Sequence, residues 1–293
     1  MSLRLHLGLM FLAPILVLMG LSASGLRLPV PEFGREYVLR FLLPGDGELA
    51  LPSILGSRDD SRPLVVIDAG HGGRDPGATG SGVREKDIVL GLALALRDEL
   101  VASGGIRVAL TRDDDRLLAL DERPEIARRL GADLFISIHA DSAGEQEAVT
   151  GASVYTLSSK ASSQAAARFA ARENDADRVN GLSIEGQSEE VSAILVELSQ
   201  RRTQEVSDEF ARLVIREGEG KIQFHPQAKR SATLAVLRAP DVPSVLYEAG
   251  FVTNPSDAER LTSPAGRERF ADVMGRAIRV YFARRSATAT TSS

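Results

Sequence analysis

Residues 64–73 read LVVIDAGHGG, an apolar run that ends in a glycine-rich turn around His71. A short apolar run bounded by turn residues is typical of a buried strand. Downstream, residues 88–100 carry apolar side chains at helical spacing, and further strand-like runs follow at 106–110, 134–138 and 152–157. Strands that alternate with helices predict an α/β domain with one twisted, largely parallel mixed sheet flanked by helices.

The amino-terminal residues differ from this pattern. Arg4 precedes a charge-free apolar run over 7–21, and small residues follow. This order predicts a secretory signal peptide over residues 1–25 and export to the periplasm. A membrane attachment is expected only if the leader stays uncleaved. Residues 26–61 contain four prolines and are expected to form a linker.

The predicted catalytic domain spans residues 62–285. Within it, residues 174–224 break the alternation and predict a helical insertion, with amphipathic helices around 191–198 and 210–214. The alternation is expected to resume with strand-like runs at 233–237 and 245–247, and a terminal helix is expected over about 266–283. Residues 286–293 are of low complexity and are expected to be a disordered tail.

Composition excludes several classes of function. The chain has 293 residues and a net charge of −5, which argues against a nucleic-acid-binding protein because such proteins carry a basic surface. It has no cysteine, so thiolate zinc sites and cysteine nucleophiles are excluded. Neither a G-x-S-x-G nucleophile elbow nor a P-loop motif occurs. A histidine-based site must therefore use the four histidines: His6, His71, His139 and His225.

Three of the strand-like runs end in side chains that can carry chemistry, namely His71, His139 and Glu248. In open α/β sheets ligands bind at the carboxyl ends of the strands, so these side chains are expected to converge. Glu85, at the start of the first long helix, can face the same cavity.

Two histidines and a glutamate form a known ligand set for catalytic zinc, with a fourth position open for water. Glu248 has the chemistry to accept a proton from that water. Asp68 and Asp141 are candidates to orient the histidines through hydrogen bonds. Spacing alone leaves a purely structural role open for each of these residues. His225, which precedes Pro226, is expected in a loop.

Several segments resemble, in the same order, the zinc-dependent N-acetylmuramoyl-L-alanine amidases of the Amidase_3 family. They are VVIDAGHGGRDPGATGSGVREKD (65–87), TRDDD (111–115), DLFISIHAD (133–141), GASVYTLS (151–158) and APDVPSVLYEAGFVTNP (239–255). The resemblance implies that His71, Glu85 and His139 bind Zn²⁺ and that Glu248 is the catalytic glutamate. It also implies that the substrate is peptidoglycan, cut between the lactyl group of N-acetylmuramic acid and L-alanine.

Residues 188–211, SEEVSAILVELSQRRTQEVSDEFA, are similar to the regulatory segment of the periplasmic cell-separation amidases. In that subgroup the segment blocks the active site until a LytM-domain activator binds. The resemblance thus implies an activator partner and a blocking carboxylate, for which Glu189, Glu190 and Glu185 are the candidates. The alternative for these three is a solvated acidic helix start. Those enzymes often carry a septal-targeting domain where this chain has the 26–61 linker.

Two other functions remain open at this stage. One is a catalytically silent protein that binds peptidoglycan, and the other is a zinc peptidase that acts on stem peptides. Product analysis separates them, because an amidase releases a stem with an L-alanine amino terminus and leaves the glycan uncut.

Overall fold

The carboxyl ends of four parallel strands form the edge on which the candidate residues meet. In the computed structural model these strands are β2 (Leu64–Ala69), β5 (Arg107–Leu110), β6 (Leu134–His139) and β9 (Ser244–Glu248). The structure describes residues 49–144, 146, 148–179 and 189–291, with the side chains of 177–179, 189–202 and 288–291 left out. The predicted signal peptide and the linker up to residue 48 lie outside this range.

The sheet has seven strands in the order β1-β5-β2-β6-β9-β7-β8. β1 (Leu55–Gly56) pairs antiparallel with β5, and β7 (Ala152–Leu157) pairs antiparallel with β9. β8 (Phe224–Ala232) is the edge strand and runs parallel to β7. A separate small hairpin joins β3 (Thr79–Gly80) and β4 (Val83–Arg84). The prediction of a largely parallel, mixed sheet is confirmed.

Six helices surround the sheet in the described part of the chain. They are α1 (Glu85–Ser103), α2 (Glu122–Arg129), α3 (Gln164–Val179), α4 (Glu189–Gly218), α5 (Pro255–Thr262) and α6 (Pro264–Thr291), together with a 3₁₀ turn at Ala235–Leu237. No helix among the described residues is long and apolar enough to cross a membrane.

Both faces of the sheet are covered, which explains why its central strands are almost continuously apolar. On one face, alternate strand residues such as Ile67 pack with apolar residues of α1, α4 and α6. On the other face, the intervening residues such as Val66 and Leu246 pack with α2, α3 and the 3₁₀ turn. Every residue of β2, β6 and β9 is buried.

The region predicted as a helical insertion differs from expectation. The backbone of 189–218 is one helix rather than two, and its second half belongs to the core of the domain. Phe210 and Val214 are fully buried, and the ring of Phe210 packs 5.4 Å from that of Tyr281 on α6. The apolar residues that suggested a separate amphipathic helix instead form the face of this helix that packs in the core of the catalytic domain.

Four further features differ from the predicted organisation. The strand near the end of the predicted insertion is β8, which begins at Phe224, and the expected strand at 233–237 is a loop with a 3₁₀ turn. α6 continues to Thr291, into the segment expected to be a disordered tail. The compact domain begins at Leu49, inside the predicted linker, because β1 adds a short strand to the sheet edge.

Candidate metal centre and active site

The predicted convergence of His71, His139 and Glu248 is present. His139 and Glu248 are the last residues of β6 and β9 and are partners in the parallel register. His71 follows β2 by two residues, and its ring centre lies 4.9 Å from that of His139. The close approach requires a glycine at position 70, since a Cβ there would lie 2.5 Å from the His139 ring.

His71 is held in an unusual backbone conformation. Its φ is 58°, a left-handed value that only glycine adopts without cost. Two contacts stabilise it: Arg123 donates a hydrogen bond of 2.8 Å to the His71 carbonyl oxygen, and Asp75 Oδ2 lies 2.8 Å from His71 Nδ1. These contacts leave His71 Nε2 directed at the centre of the site.

Glu85 is the first residue of α1 and is almost fully buried. Its two oxygens each accept a backbone hydrogen bond of 2.8 Å, Oε1 from Ala140 and Oε2 from Ala78. The same oxygens face the histidines, with Oε1 at 3.0 Å from His139 Nδ1 and Oε2 at 3.1 Å from His71 Nε2. The carboxylate is therefore fixed between both rings, which fits the role of a ligand better than that of a solvated helix start.

The donor set fits a metal ion. His71 Nε2 is buried and has no hydrogen-bond partner in the described part of the chain, although Glu85 Oε2 is only 3.1 Å away. An unpaired ring nitrogen this close to a carboxylate oxygen offers two ligand atoms to one metal ion. Potential ligand atoms of His71, His139 and Glu173 all lie within 4.8 Å of one another. Nitrogen and carboxylate ligands in this number suit zinc.

The electrostatics of the site also favour a cation. Burial alone would lower the pKa of His71, but the Glu85 carboxylate and the hydrogen bond with Asp75 raise it to about 10. Burial likewise disfavours charge on His139, and the carboxylates of Glu173 and Glu85 raise its pKa to about 10. The cavity therefore stabilises positive charge at both rings, and a bound metal ion can supply that charge in place of protons.

Glu248 has one satisfied and one unsatisfied oxygen. Its Oε1 accepts a hydrogen bond of 2.6 Å from the Asp141 backbone amide. Its Oε2 is buried, with no hydrogen-bond partner among the described residues. Burial, followed by the nearby carboxylates of Asp141 and Glu85, raises the pKa of Glu248 well above its usual range. A buried carboxylate with a raised pKa and a free oxygen is the arrangement expected of a proton acceptor.

Glu173, which was not among the predicted site residues, lies on α3 at the metal cluster. Its Oε2 is 3.2 Å from His139 Nδ1 and 3.7 Å from His71 Nε2. The preceding residue, Arg172, pairs with Asp141, and the following residue, Asn174, exchanges hydrogen bonds with the backbone of Thr233 and Ala235. These three consecutive residues hold α3 over the site. The side chains of Glu185, Glu189 and Glu190 lie outside the described residues.

The predicted partners of the histidines differ from those observed. Asp68 accepts hydrogen bonds from Thr111, Ser137 and Arg123, all at 2.6–2.9 Å, and pairs with no histidine among the described contacts. Asp141 is bound to Arg172. Asp75, which the sequence analysis did not single out, is the carboxylate on His71. Its position four residues after His71, in the same glycine-rich loop, was the available signal.

The chain is similar to known proteins of one family. Residues 65–280 match the Amidase_3 family, described as N-acetylmuramoyl-L-alanine amidase. The chain is 37% identical over 224 residues to N-acetylmuramoyl-L-alanine amidase AmiA of Salmonella typhimurium, which covers 76% of this chain and 77% of the relative.

Two solved structures show the same fold. One is amidase AmiC2 of Nostoc punctiforme, with 29% identity, a TM-score of 0.54 and coverage of 75% of this chain and 97% of that one. The other is the CwlD amidase of Clostridioides difficile in complex with the GerS lipoprotein, with 25% identity, a TM-score of 0.56 and coverage of 75% and 98%. On the family match over most of its length, this chain belongs to the N-acetylmuramoyl-L-alanine amidases.

Proposed function

We propose that this protein is a zinc amidase that hydrolyses the amide between N-acetylmuramic acid and the L-alanine of the peptidoglycan stem. The observation that carries the proposal is the convergence of His71 Nε2, His139 Nδ1 and the Glu85 carboxylate beside the free oxygen of Glu248. Membership of the amidase family supports the reaction and the substrate.

His71, Glu85 and His139 would hold the metal ion. Zinc bound there supplies Lewis-acid polarisation of the scissile carbonyl and makes water more acidic. The two backbone amides on Glu85 and the Asp75 carboxylate on His71 keep these ligands in place before the metal arrives. The protein therefore presents a preorganised site.

Glu248 acts as general base and then as general acid. Its Oε2 accepts a proton from the attacking water, and the same carboxyl later delivers a proton to the departing amine of L-alanine. The Asp141 amide holds Oε1, so that Oε2 alone is available for transfer. The raised pKa of Glu248 makes it a stronger base than an exposed carboxylate.

In the conformation described, α3 closes the site. The Glu173 carboxylate lies beside both histidines and would compete with water for a metal ion held there, and Arg172 and Asn174 hold the helix on either side. We propose a blocking role for Glu173; the prediction of that role for Glu189, Glu190 or Glu185 concerns side chains outside the described residues. Displacement of α3 by a protein partner, proposed to be a LytM-domain activator, would open the site. The related CwlD amidase has a partner lipoprotein.

We further propose that the protein is exported and acts in the periplasm, in wall remodelling and daughter-cell separation. The apolar segment over residues 7–21 supports export.

The test is to incubate the purified protein with isolated sacculi, with and without zinc, and to determine product masses. Release of stem peptides that begin with L-alanine, dependent on zinc, is the expected result. Cleavage within the stem would indicate a peptidase. Binding to sacculi without release, by a zinc-loaded Glu173→Ala variant, would indicate a silent binding protein.

A further inference from the structure

Among the described residues, no carboxylate neutralises Arg230, a buried cation on the edge strand β8. Only 8% of its surface is exposed, and among the described residues no carboxylate lies within ion-pair distance of its guanidinium. Arginine is seldom buried unless it is paired, because an ionised group loses its hydration in the interior. A buried guanidinium that no described carboxylate neutralises therefore requires an explanation.

The hydrogen-bond contacts of Arg230 with described residues are to uncharged groups. Its Nε donates to the Gln227 carbonyl oxygen at 3.0 Å, and its Nη1 donates to the Tyr155 hydroxyl at 3.1 Å. Its Nη2 lies 2.8 Å from His225 Nδ1, which also accepts from the Gln227 amide at 3.0 Å. A guanidinium has five N–H donors, so these contacts orient it and leave donors for one further acceptor.

Arg230 lies on the same face of the sheet as Glu248. Side chains alternate along a strand, and Arg230 is the register partner of Tyr155 on β7. Two residues earlier on β7, Ser153 is the partner of Glu248 on β9. Strand spacing and rise put the Cα atoms of Arg230 and Glu248 roughly 12 Å apart. A peptide of about two to four extended residues covers that distance.

The helix that closes the metal centre also covers this surface. Phe169 of α3 packs on the Tyr155 ring at 4.7 Å, while Glu173, one turn later, lies at the metal cluster. Displacing α3 would thus expose the Tyr155 ring as well as the metal ligands, and Arg230 adjoins that ring through its hydrogen bond to the Tyr155 hydroxyl.

We propose that Arg230, oriented by Tyr155 and His225, is a subsite for a free carboxylate of the stem peptide, on the L-alanine side of the scissile amide. This inference rests on the proposed function, since it assumes that the stem lies along this face of the sheet from Glu248. A planar guanidinium with unused N–H groups matches a carboxylate through two parallel hydrogen bonds. Binding of the carboxylate would neutralise the guanidinium and would fix the stem two to four residues beyond the cut.

The test compares two peptide probes by isothermal titration calorimetry. One is the tetrapeptide L-Ala-D-Glu-meso-diaminopimelate-D-Ala with free carboxylates, and the other is the same peptide with its carboxyls amidated. Each is titrated into the full-length protein and into its Glu173→Ala variant, which lacks the charged contact of α3 with the two histidines. We expect the acid form to bind about 10- to 100-fold more tightly, the range of a charge-assisted hydrogen bond.

Arg230→Gln should remove most of this preference, and Lys229→Gln should retain it. Lys229 is the matched control, because it is the neighbouring cation on the opposite side of β8 and is paired with Asp208. Should Arg230→Gln fail to fold, Tyr155→Phe keeps the ring packing and should reduce the preference about 2- to 10-fold. Equal binding of the two probes, or no binding of either at millimolar concentration, would overturn the subsite, as would an unchanged preference in Arg230→Gln.

The sacculus assay, run in parallel, separates this inference from the proposed function. A carboxylate preference that depends on Arg230, in a protein that releases no stem peptide, would retain the subsite and reject the amidase mechanism. Stem release without such a preference would retain the amidase mechanism and reject the carboxylate subsite.

Discussion

His139 and Glu248 lie side by side at the ends of two neighbouring parallel strands, joined in register across β6 and β9. The backbone ties them further, because the amide of Ala249 donates to the His139 carbonyl oxygen at 2.8 Å. A proposed metal ligand and the proposed proton acceptor are thereby fixed relative to each other by the sheet. The sheet thus places proton transfer next to the proposed metal centre.

The first prediction concerns the metal. His71→Ala and His139→Ala should each abolish stoichiometric zinc binding, because each removes one of three proposed ligands. Metal content after dialysis, determined by atomic emission, gives the measurement. His225→Ala is the control and should bind one zinc ion per chain. Full zinc occupancy in either of the first two variants would refute the ligand assignment.

The second prediction concerns the base. Glu248→Gln should keep its zinc and lose turnover by about 10²- to 10⁴-fold, the usual contribution of a general base. The change is isosteric and retains an acceptor for the Asp141 amide. Stem release from sacculi, normalised to bound zinc, provides the rate. A rate within a few-fold of the unmodified protein would assign proton transfer to another group.

The third prediction concerns closure by α3. Glu173→Ala should raise activity without an activator by about 10- to 100-fold at saturating zinc, because one charged contact that holds the helix is lost. Glu205→Ala, an exposed carboxylate on α4, should leave basal activity unchanged. If Glu173→Ala is folded and zinc-loaded yet no more active, Glu173 is not the blocking group.

Closure by α3 is better tested by a point substitution than by deletion of the whole predicted insertion. Phe210 and Val214 are fully buried in the core, so removal of residues up to about 220 is expected to unfold the domain.

The fourth prediction concerns the carboxylate behind His71. Asp75→Asn should weaken zinc binding by about 10- to 100-fold, because Asp75 orients the His71 ring through Nδ1. Competition with a chromogenic chelator measures the affinity directly, independently of catalysis. Asp87→Asn, half exposed and paired with Arg84, is the control and should bind zinc as the unmodified protein does. Unchanged zinc affinity in Asp75→Asn would limit Asp75 to a role in the loop.

The fifth prediction concerns stability. Asp68 is fully buried and pairs with the buried Arg123 at 2.9 Å, so Asp68→Asn should lower the free energy of unfolding by about 3–5 kcal/mol. Asp60→Asn breaks an exposed pair with Arg107 and should cost less than about 1 kcal/mol. Urea unfolding followed by circular dichroism measures both. Equal losses in the two variants would contradict the prediction.

The same pair sets a pH dependence. Burial would raise the pKa of Asp68, but Arg123 and the hydrogen bonds from Thr111 and Ser137 outweigh it and hold the pKa below its usual value. The stabilisation is therefore complete above the unfolded pKa of about 3.9 and is lost as the pH falls through the lower folded pKa. The difference between the unmodified protein and Asp68→Asn should accordingly shrink in acid.

The sequence by itself determined the sheet and the principal site residues. Apolar runs that end at His71, His139 and Glu248 predicted parallel strands with a shared edge, because strands buried on both faces must be apolar along their whole length. Glu85 was predicted at the same site from its position at the start of α1. These are local patterns whose consequences follow from the geometry of an α/β sheet.

Only the tertiary structure decided which acidic side chains serve the site. Glu173 and Asp75 resemble many solvated carboxylates in the sequence, and their roles depend on where α3 and the glycine-rich loop pack. Arg230 is likewise unremarkable in the sequence, and its burial follows from the pairing of β8 with β7. Long-range packing selects these residues, and periodicity records only which face of an element is apolar, not which polar groups meet across it.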